Sequence, residues 1–193
     1  MTVRLVGISG SLRKASFNTA LLRAAAERKP AGVELVEATI HGIPLYDADI
    51  EAEDGIPEAV TRLKDLLAGA DGVILFTPEY NNSLPGVFKN AIDWMSRPAA
   101  DIPRVFGGKP FAITGASPGN FGTLLSQEAW LPVMHTLGTV PWFGSKLMVS
   151  RAGSVFENGA IVDEATGRRL ADFIAGFAAF VADIRRRDES RIG

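Results

Sequence analysis

Three short stretches of this chain gather the residue types that hold anions and flat rings. The first is Gly7-Ile-Ser-Gly-Ser-Leu-Arg-Lys-Ala-Ser-Phe-Asn18. Its small residues let successive backbone N–H groups turn inward, and a helix beginning near Asn18 adds its positive end. Ser11, Ser16 and Asn18 offer side-chain donors, while the forked guanidinium of Arg13 can neutralise a dianion. A terminal phosphate monoester needs this donor set. The stretch also suits an ordinary strand-to-helix loop capped by Asn18 with Arg13 in solvent. It is neither G-x-G-x-x-G nor G-x-x-x-x-G-K-[ST], which disfavours a dinucleotide pyrophosphate or an ATP phosphate.

The second stretch is Thr77-Pro-Glu-Tyr-Asn-Asn-Ser-Leu-Pro-Gly86. Pro78 and Pro85 restrict it and the residues before them. Tyr80 can stack on or border a planar ring, and the exposed backbone of Glu79, Tyr80 and Asn81 can pair with ring heteroatoms. Asn81 adds a donor and an acceptor. Turn formation, with Tyr80 packed on the next helix, would use the same residues. In the third stretch, Gly115-Ala-Ser-Pro-Gly-Asn-Phe-Gly122, Ser117 and Gly119 allow a flat ring to approach the backbone closely.

The elements that must position these loops follow from periodicity. Apolar runs at Val3–Ile8, Val33–Ala38, Gly72–Thr77, Pro110–Gly115 and Val140–Val149 read as strands, the last interrupted by Pro141 and Gly144. The run at 72–77 is continuous, as in a strand buried on both faces. Helical spacing occupies 18–29, 57–67, 85–96 and 121–137, the last containing Pro132. Leu170, Phe173, Ile174, Phe177, Val181 and Ile184 mark a final amphipathic helix. Five strand–helix alternations predict an α/β, flavodoxin-like, doubly wound, five-stranded parallel sheet of order 2-1-3-4-5, in one domain over residues 1–193. Ligands of such sheets sit at the carboxyl ends of the strands, where all three loops emerge. The acidic connection 42–56, with Asp47, Asp49, Glu51, Glu53 and Asp54, lacks an EF-hand spacing and reads as a solvated loop.

Composition narrows the chemistry. The chain has 193 residues, 47% hydrophobic, and a net charge of −2, which excludes general disorder and a broad basic nucleic-acid face. It has no cysteine, which excludes disulfides, thiolate metal sites and a Cys nucleophile. With only His41 and His135, no metal site is expected, and a phosphate-ester hydrolase lacks its machinery. A borrowed reagent must do the work. No export or membrane segment is legible, so a cytoplasmic protein is expected.

Gly10-Ser-Leu-Arg-Lys-Ala-Ser-Phe-Asn18, Thr77-Pro-Glu-Tyr-Asn81 and Ser83-Leu-Pro-Gly-Val-Phe-Lys-Asn-Ala-Ile-Asp-Trp-Met-Ser-Arg97 together resemble the NADPH-dependent FMN reductase family, nearest the bacterial chromate and quinone reductases with their azoreductase-like relatives. Ile43-Pro-Leu-Tyr-Asp47 adds to the likeness. The resemblance implies non-covalent FMN, NADPH as reductant, a quinone-like acceptor (or chromate, azo compounds or free flavin) reduced in ping-pong two-electron fashion, and a homodimer or homotetramer. It maps Ser11, Arg13, Ser16 and Asn18 onto the phosphate loop, and Pro78, Glu79, Tyr80 and Asn81 onto the ring loop. Ser117 and Gly119 fall on the ring's other side, and Tyr80 borders the acceptor pocket. No protein acid or base is required. Asn82 and Thr123 depart from the family pattern, where an aromatic or His and a glycine are common. Trp94, Met95, Trp142 and Phe143 are candidate partner contacts, although Trp and Phe at helical or strand spacing also suit the core. The alternative is a flavodoxin-type carrier that binds FMN without using NADPH, although a charge of −2 gives little steering field.

Overall fold

The computed structural model describes residues 2–192. Strands β1 (Val3–Ser9), β2 (Val33–Thr39), β3 (Gly72–Phe76), β4 (Pro110–Ala116) and β5 (Val140–Pro141) form a parallel sheet of order β2-β1-β3-β4-β5, the predicted topology. Every residue of β3 is buried, as its unbroken apolar run requires. Edge strand β2 is only partly buried, with Leu35 in one core and Ala38 in the other and Glu34 and Glu37 in solvent.

Side-chain alternation along the strands separates two cores. Leu5, Ile74 and Phe76 meet helices α1 (Phe17–Arg28) and α8 (Glu164–Ile192) through Leu21, Leu22, Phe173 and Phe177. Val6, Ile8, Val73 and Leu75 meet α3 (Glu58–Ala68), α4 (Gly86–Met95) and α6 (Leu124–Thr136) through Leu63, Phe88, Ile92 and Trp130. No helix among the described residues is long and apolar enough to cross a membrane.

The fifth strand is interrupted, as Pro141 and Gly144 predict: β4 pairs first with Val140–Pro141 and then with β6 (Met148–Val149). The intervening Trp142–Leu147 segment detours around an apolar cleft floored by Phe111, Ile113 and Met134. The expectation of a loop over the acidic connection 42–56 needs correction: it contains a helix, α2 (Ala48–Asp54), capped by the Asp47 carboxylate on the Asp49 N–H at 2.9 Å. It remains exposed, yet Glu51 accepts from Arg97 Nε and from the Tyr46 hydroxyl, both at 2.9 Å. The Arg97 guanidinium holds the Glu51 carboxyl below its ordinary range, and the Tyr46 hydroxyl acts in the same direction. A short helix α5 (Ile102–Val105) and the hairpin β7 (Phe156–Glu157)–β8 (Ala160–Ile161) were not legible as elements.

A further correction concerns the candidate partner contacts. Trp94 and Met95 are fully buried, and Trp142 packs edge-on against Phe173. Only Phe143 of the four stands in solvent.

Candidate functional site

The loops after β1, β3 and β4 meet at the carboxyl edge of the sheet around a cavity of about 390 Å³. Eight of the ten residues singled out from the sequence line it: Ser11, Arg13, Ser16, Asn18, Pro78, Glu79, Tyr80 and Ser117. Phe17, Ala116 and Pro118, which the sequence did not single out, complete the lining. Asn81 and Gly119 stand just outside the lining.

Ser16, not Asn18, caps α1. Its backbone is extended (φ −76°, ψ 126°) and its hydroxyl accepts the N–H groups of Asn18 and Thr19, both at 3.2 Å. The remaining first-turn N–H groups and the helix dipole leave this end attractive to an anion. Ser11 Oγ accepts the Arg13 N–H at 3.3 Å, which folds the loop inward. The Arg13 guanidinium lies over the Phe17 ring, 5.4 Å from its centroid, and donates once to the Ala15 carbonyl. That stacking presents its other N–H groups at the mouth of the cavity.

Asn18 does something its sequence position does not announce. Its side chain, 3% exposed, accepts the Ala116 N–H at 2.8 Å and donates to the Ala116 carbonyl at 2.9 Å. It therefore bolts the first loop to the third across the sheet. One amide hydrogen is left for a ligand.

The second loop is a miniature hairpin. Tyr80 and Ser83 exchange both backbone hydrogen bonds, at 3.1 and 3.0 Å. Between them Asn81 and Asn82 have φ of 49° and 60°. Two successive left-handed residues make a type I′ turn, a conformation Asn tolerates and β-branched or bulky residues resist. This explains Asn82: the turn geometry, more than any ring contact, asks for it. Tyr80 is left 47% exposed at the rim.

Glu79 joins the second loop to the third. Thr123 precedes α6 without capping it, because its hydroxyl is turned to Gln127 Nε2 at 3.1 Å. The Glu79 carboxylate fills that role from the neighbouring loop, accepting the N–H groups of Leu125 and Ser126 at 2.9 and 3.0 Å. Beneath it, Thr77 Oγ1 accepts from Trp130 Nε1 at 3.0 Å and bonds Ser126 Oγ at 2.9 Å, all three residues being fully buried. Glu79→Ala removes the acceptor of two helix-end donors and is expected to cost about 1 kcal/mol. Hydrogen exchange should then accelerate at the Leu125 and Ser126 amides while Glu79→Gln, which keeps a carbonyl oxygen, loses less.

In the third loop Ser117 Oγ donates to the Gly122 carbonyl at 2.6 Å and accepts the Gly119 N–H at 3.2 Å. The Gly119 carbonyl and the Ser117 backbone are in turn held by the N–H groups of Arg151 and Ala152 at 3.0 Å each. Three rigid loops thus enclose one cavity with a cationic, N–H-rich end and an aromatic rim.

Residues 3–154 match the model of a family described as NADPH-dependent FMN reductase. The chain is 39% identical over 184 residues to an NAD(P)H-dependent FMN reductase of Pseudomonas aeruginosa, spanning 95% of this chain and 97% of that one. It is also 39% identical over 186 residues to a 2-hydroxy-1,4-benzoquinone reductase of a Burkholderia species, spanning 96% and 100%. Among solved structures, the flavoenzyme NAD(P)H:acceptor oxidoreductase FerB of Paracoccus denitrificans superposes with a TM-score of 0.79 at 33% identity, over 94% and 98% of the two chains.

Proposed function

Because this chain belongs to the NADPH-dependent FMN reductase family, we propose that it is a single-unit flavoenzyme that uses NAD(P)H to reduce quinones and similar small acceptors. The observation that carries this reading is the shape and chemistry of the three-loop cavity. Arg13 and the hydroxyls of Ser11 and Ser16 fit a phosphate monoester, and Pro78–Tyr80 with Ala116–Pro118 supply backbone and an aromatic side chain for a planar ring. That combination matches riboflavin monophosphate.

Ser11, Arg13, Ser16 and the free N–H groups of α1 would hold the phosphate. The backbone of Glu79, Tyr80 and Asn81 would edge the ring, Ser117 and Gly119 would support it from the other side, and Asn18 would add its spare amide hydrogen. Bound FMN supplies the two-electron chemistry between nicotinamide and acceptor. The chain's own contribution is positioning: N–H groups fixed where negative charge accumulates are reorganised little during reaction. Tyr80, exposed at the rim, borders the space an acceptor enters. The absence of cysteine and the placement of both histidines outside the cavity suit a protein that leaves proton and electron chemistry to its cofactor.

The same reading extends to chromate as an acceptor, to action in the cytoplasm and to a homodimer or homotetramer. Supporting assembly, Leu45, Tyr46, Ile50 and Val87 expose apolar surface along the α2–α4 side, and Phe121, Leu124 and Leu125 do so beside the cavity.

Protein loaded with FMN should oxidise NADPH with benzoquinone and no partner protein, whereas a pure electron carrier would not. Arg13→Ala should weaken FMN binding about 10- to 100-fold, the loss expected for one charge-assisted contact of about 1.5–3 kcal/mol. Fluorescence titration of FMN checks this, and an unchanged affinity removes Arg13 from the phosphate seat.

A further inference from the structure

A second concavity, of about 410 Å³, opens between the first loop, α1 and the end of β2. Arg13, Lys14, Arg23 and His41 line it, against the single carboxylate of Glu37. In a chain of net charge −2 such a concentration of cations is not background. Many exposed arginines of this protein have carboxylate partners, as in Arg62–Glu58, Arg104–Asp101 and Arg168–Glu164. Lys14 and Arg23 have none among the described residues, and no hydrogen bond occupies their head groups.

The cleft is also braced. His41 Nδ1 bonds Thr39 Oγ1 on the β2 side, and His41 Nε2 lies 3.2 Å from the Leu12 carbonyl in the first loop. One imidazole therefore ties both walls together. Arg13 lines this cleft and the three-loop cavity alike, so the two open side by side at the first loop.

We propose that the cleft seats the 2′-phosphate of NADPH, with Lys14 and Arg23 as the residues that select NADPH over NADH. The proposal rests on the reductase reading above. A dinucleotide whose nicotinamide meets FMN at the mouth of the three-loop cavity extends beyond the first loop and delivers its second anionic group to the unpaired cations. Two free cations suit a phosphomonoester dianion, and NADH offers nothing to them. The Glu37 carboxylate on the far wall disfavours an anion placed there, which favours the Lys14 side.

The test is calorimetric titration of FMN-loaded protein with NADP⁺, NAD⁺ and adenosine 2′,5′-bisphosphate. Lys14→Gln and Arg23→Gln keep the apolar stems and remove one charge each. Each should weaken NADP⁺ and the bisphosphate roughly tenfold while leaving NAD⁺ within about twofold. FMN affinity and NADH-driven quinone turnover should stay at wild-type levels for Arg23→Gln. Parallel loss for NADP⁺ and NAD⁺, or no loss for either, overturns the assignment. Inorganic phosphate binding as tightly as the bisphosphate overturns it too, as a generic anion site. Wild-type protein that oxidises neither nucleotide with FMN and benzoquinone present instead overturns the underlying reductase reading, in a separate assay.

Discussion

Gly115→Ala should unfold at a markedly lower temperature than the parent and bind FMN poorly. A methyl group at position 115 would stand 2.0 Å from the Thr77 backbone carbonyl and 2.7 Å from Thr123 Oγ1. Neither neighbour can swing away freely. Thr77 N–H is bonded to the Thr114 carbonyl at 2.8 Å, extending the β3–β4 pairing that ends at Phe76 and Thr114. Thr123 is fully buried and holds Gln127. The strands must part where the second and third loops leave them, and overpacking of this kind costs about 3 kcal/mol. For a chain of this size that lowers Tm by roughly 6–12 °C. Gly119→Ala is the control within the same loop, because its methyl group would meet only Ser117 Oγ, at 3.5 Å. Thermal unfolding of the two variants should separate them clearly, with Gly119→Ala within a few tenths of a kcal/mol of the parent in stability. Equal midpoints would mean that the two loops do not converge at Gly115.

The contrast between those glycines marks where sequence reading succeeds. The buried run 72–76 and the apolar stripe of the final helix are local patterns, and local burial produces local periodicity. The topology then follows, because parallel strands joined by helices have few arrangements. With the topology comes the placement of the three loops at one sheet edge. What stayed hidden depends on partners distant in sequence. Nothing near Glu79 signals that its carboxylate caps a helix 46 positions later. Gly115 and Gly119 look alike until β3 is laid beside β4. Other misses were legible in principle: Asp47 before an acidic run is a helix start, and the pair Asn81-Asn82 is a type I′ turn signal. The break in the fifth strand was legible, because Pro141 and Gly144 deny the sheet continuous pairing.

Asn18 supplies the sharpest division between holding a ligand and holding the fold. As a phosphate donor alone, its loss would weaken FMN binding and leave the empty protein untouched. As the bolt between the loops, its loss strips a partner from each of two buried backbone groups, the Ala116 N–H and C=O that it bonds at 2.8 and 2.9 Å. A buried polar group left unpaired costs about 1–3 kcal/mol, so Asn18→Ala should destabilise by roughly 2–5 kcal/mol. Ser16→Ala, which removes only the cap two residues earlier, should cost about 1 kcal/mol. Urea unfolding with and without saturating FMN decides between the roles, because a ligand contributes stability only through binding to the folded state. If Asn18 is chiefly a bolt, most of its deficit is present before FMN is added. A deficit that appears only with FMN would return Asn18 to the phosphate seat and leave the joining of the two loops to the backbone.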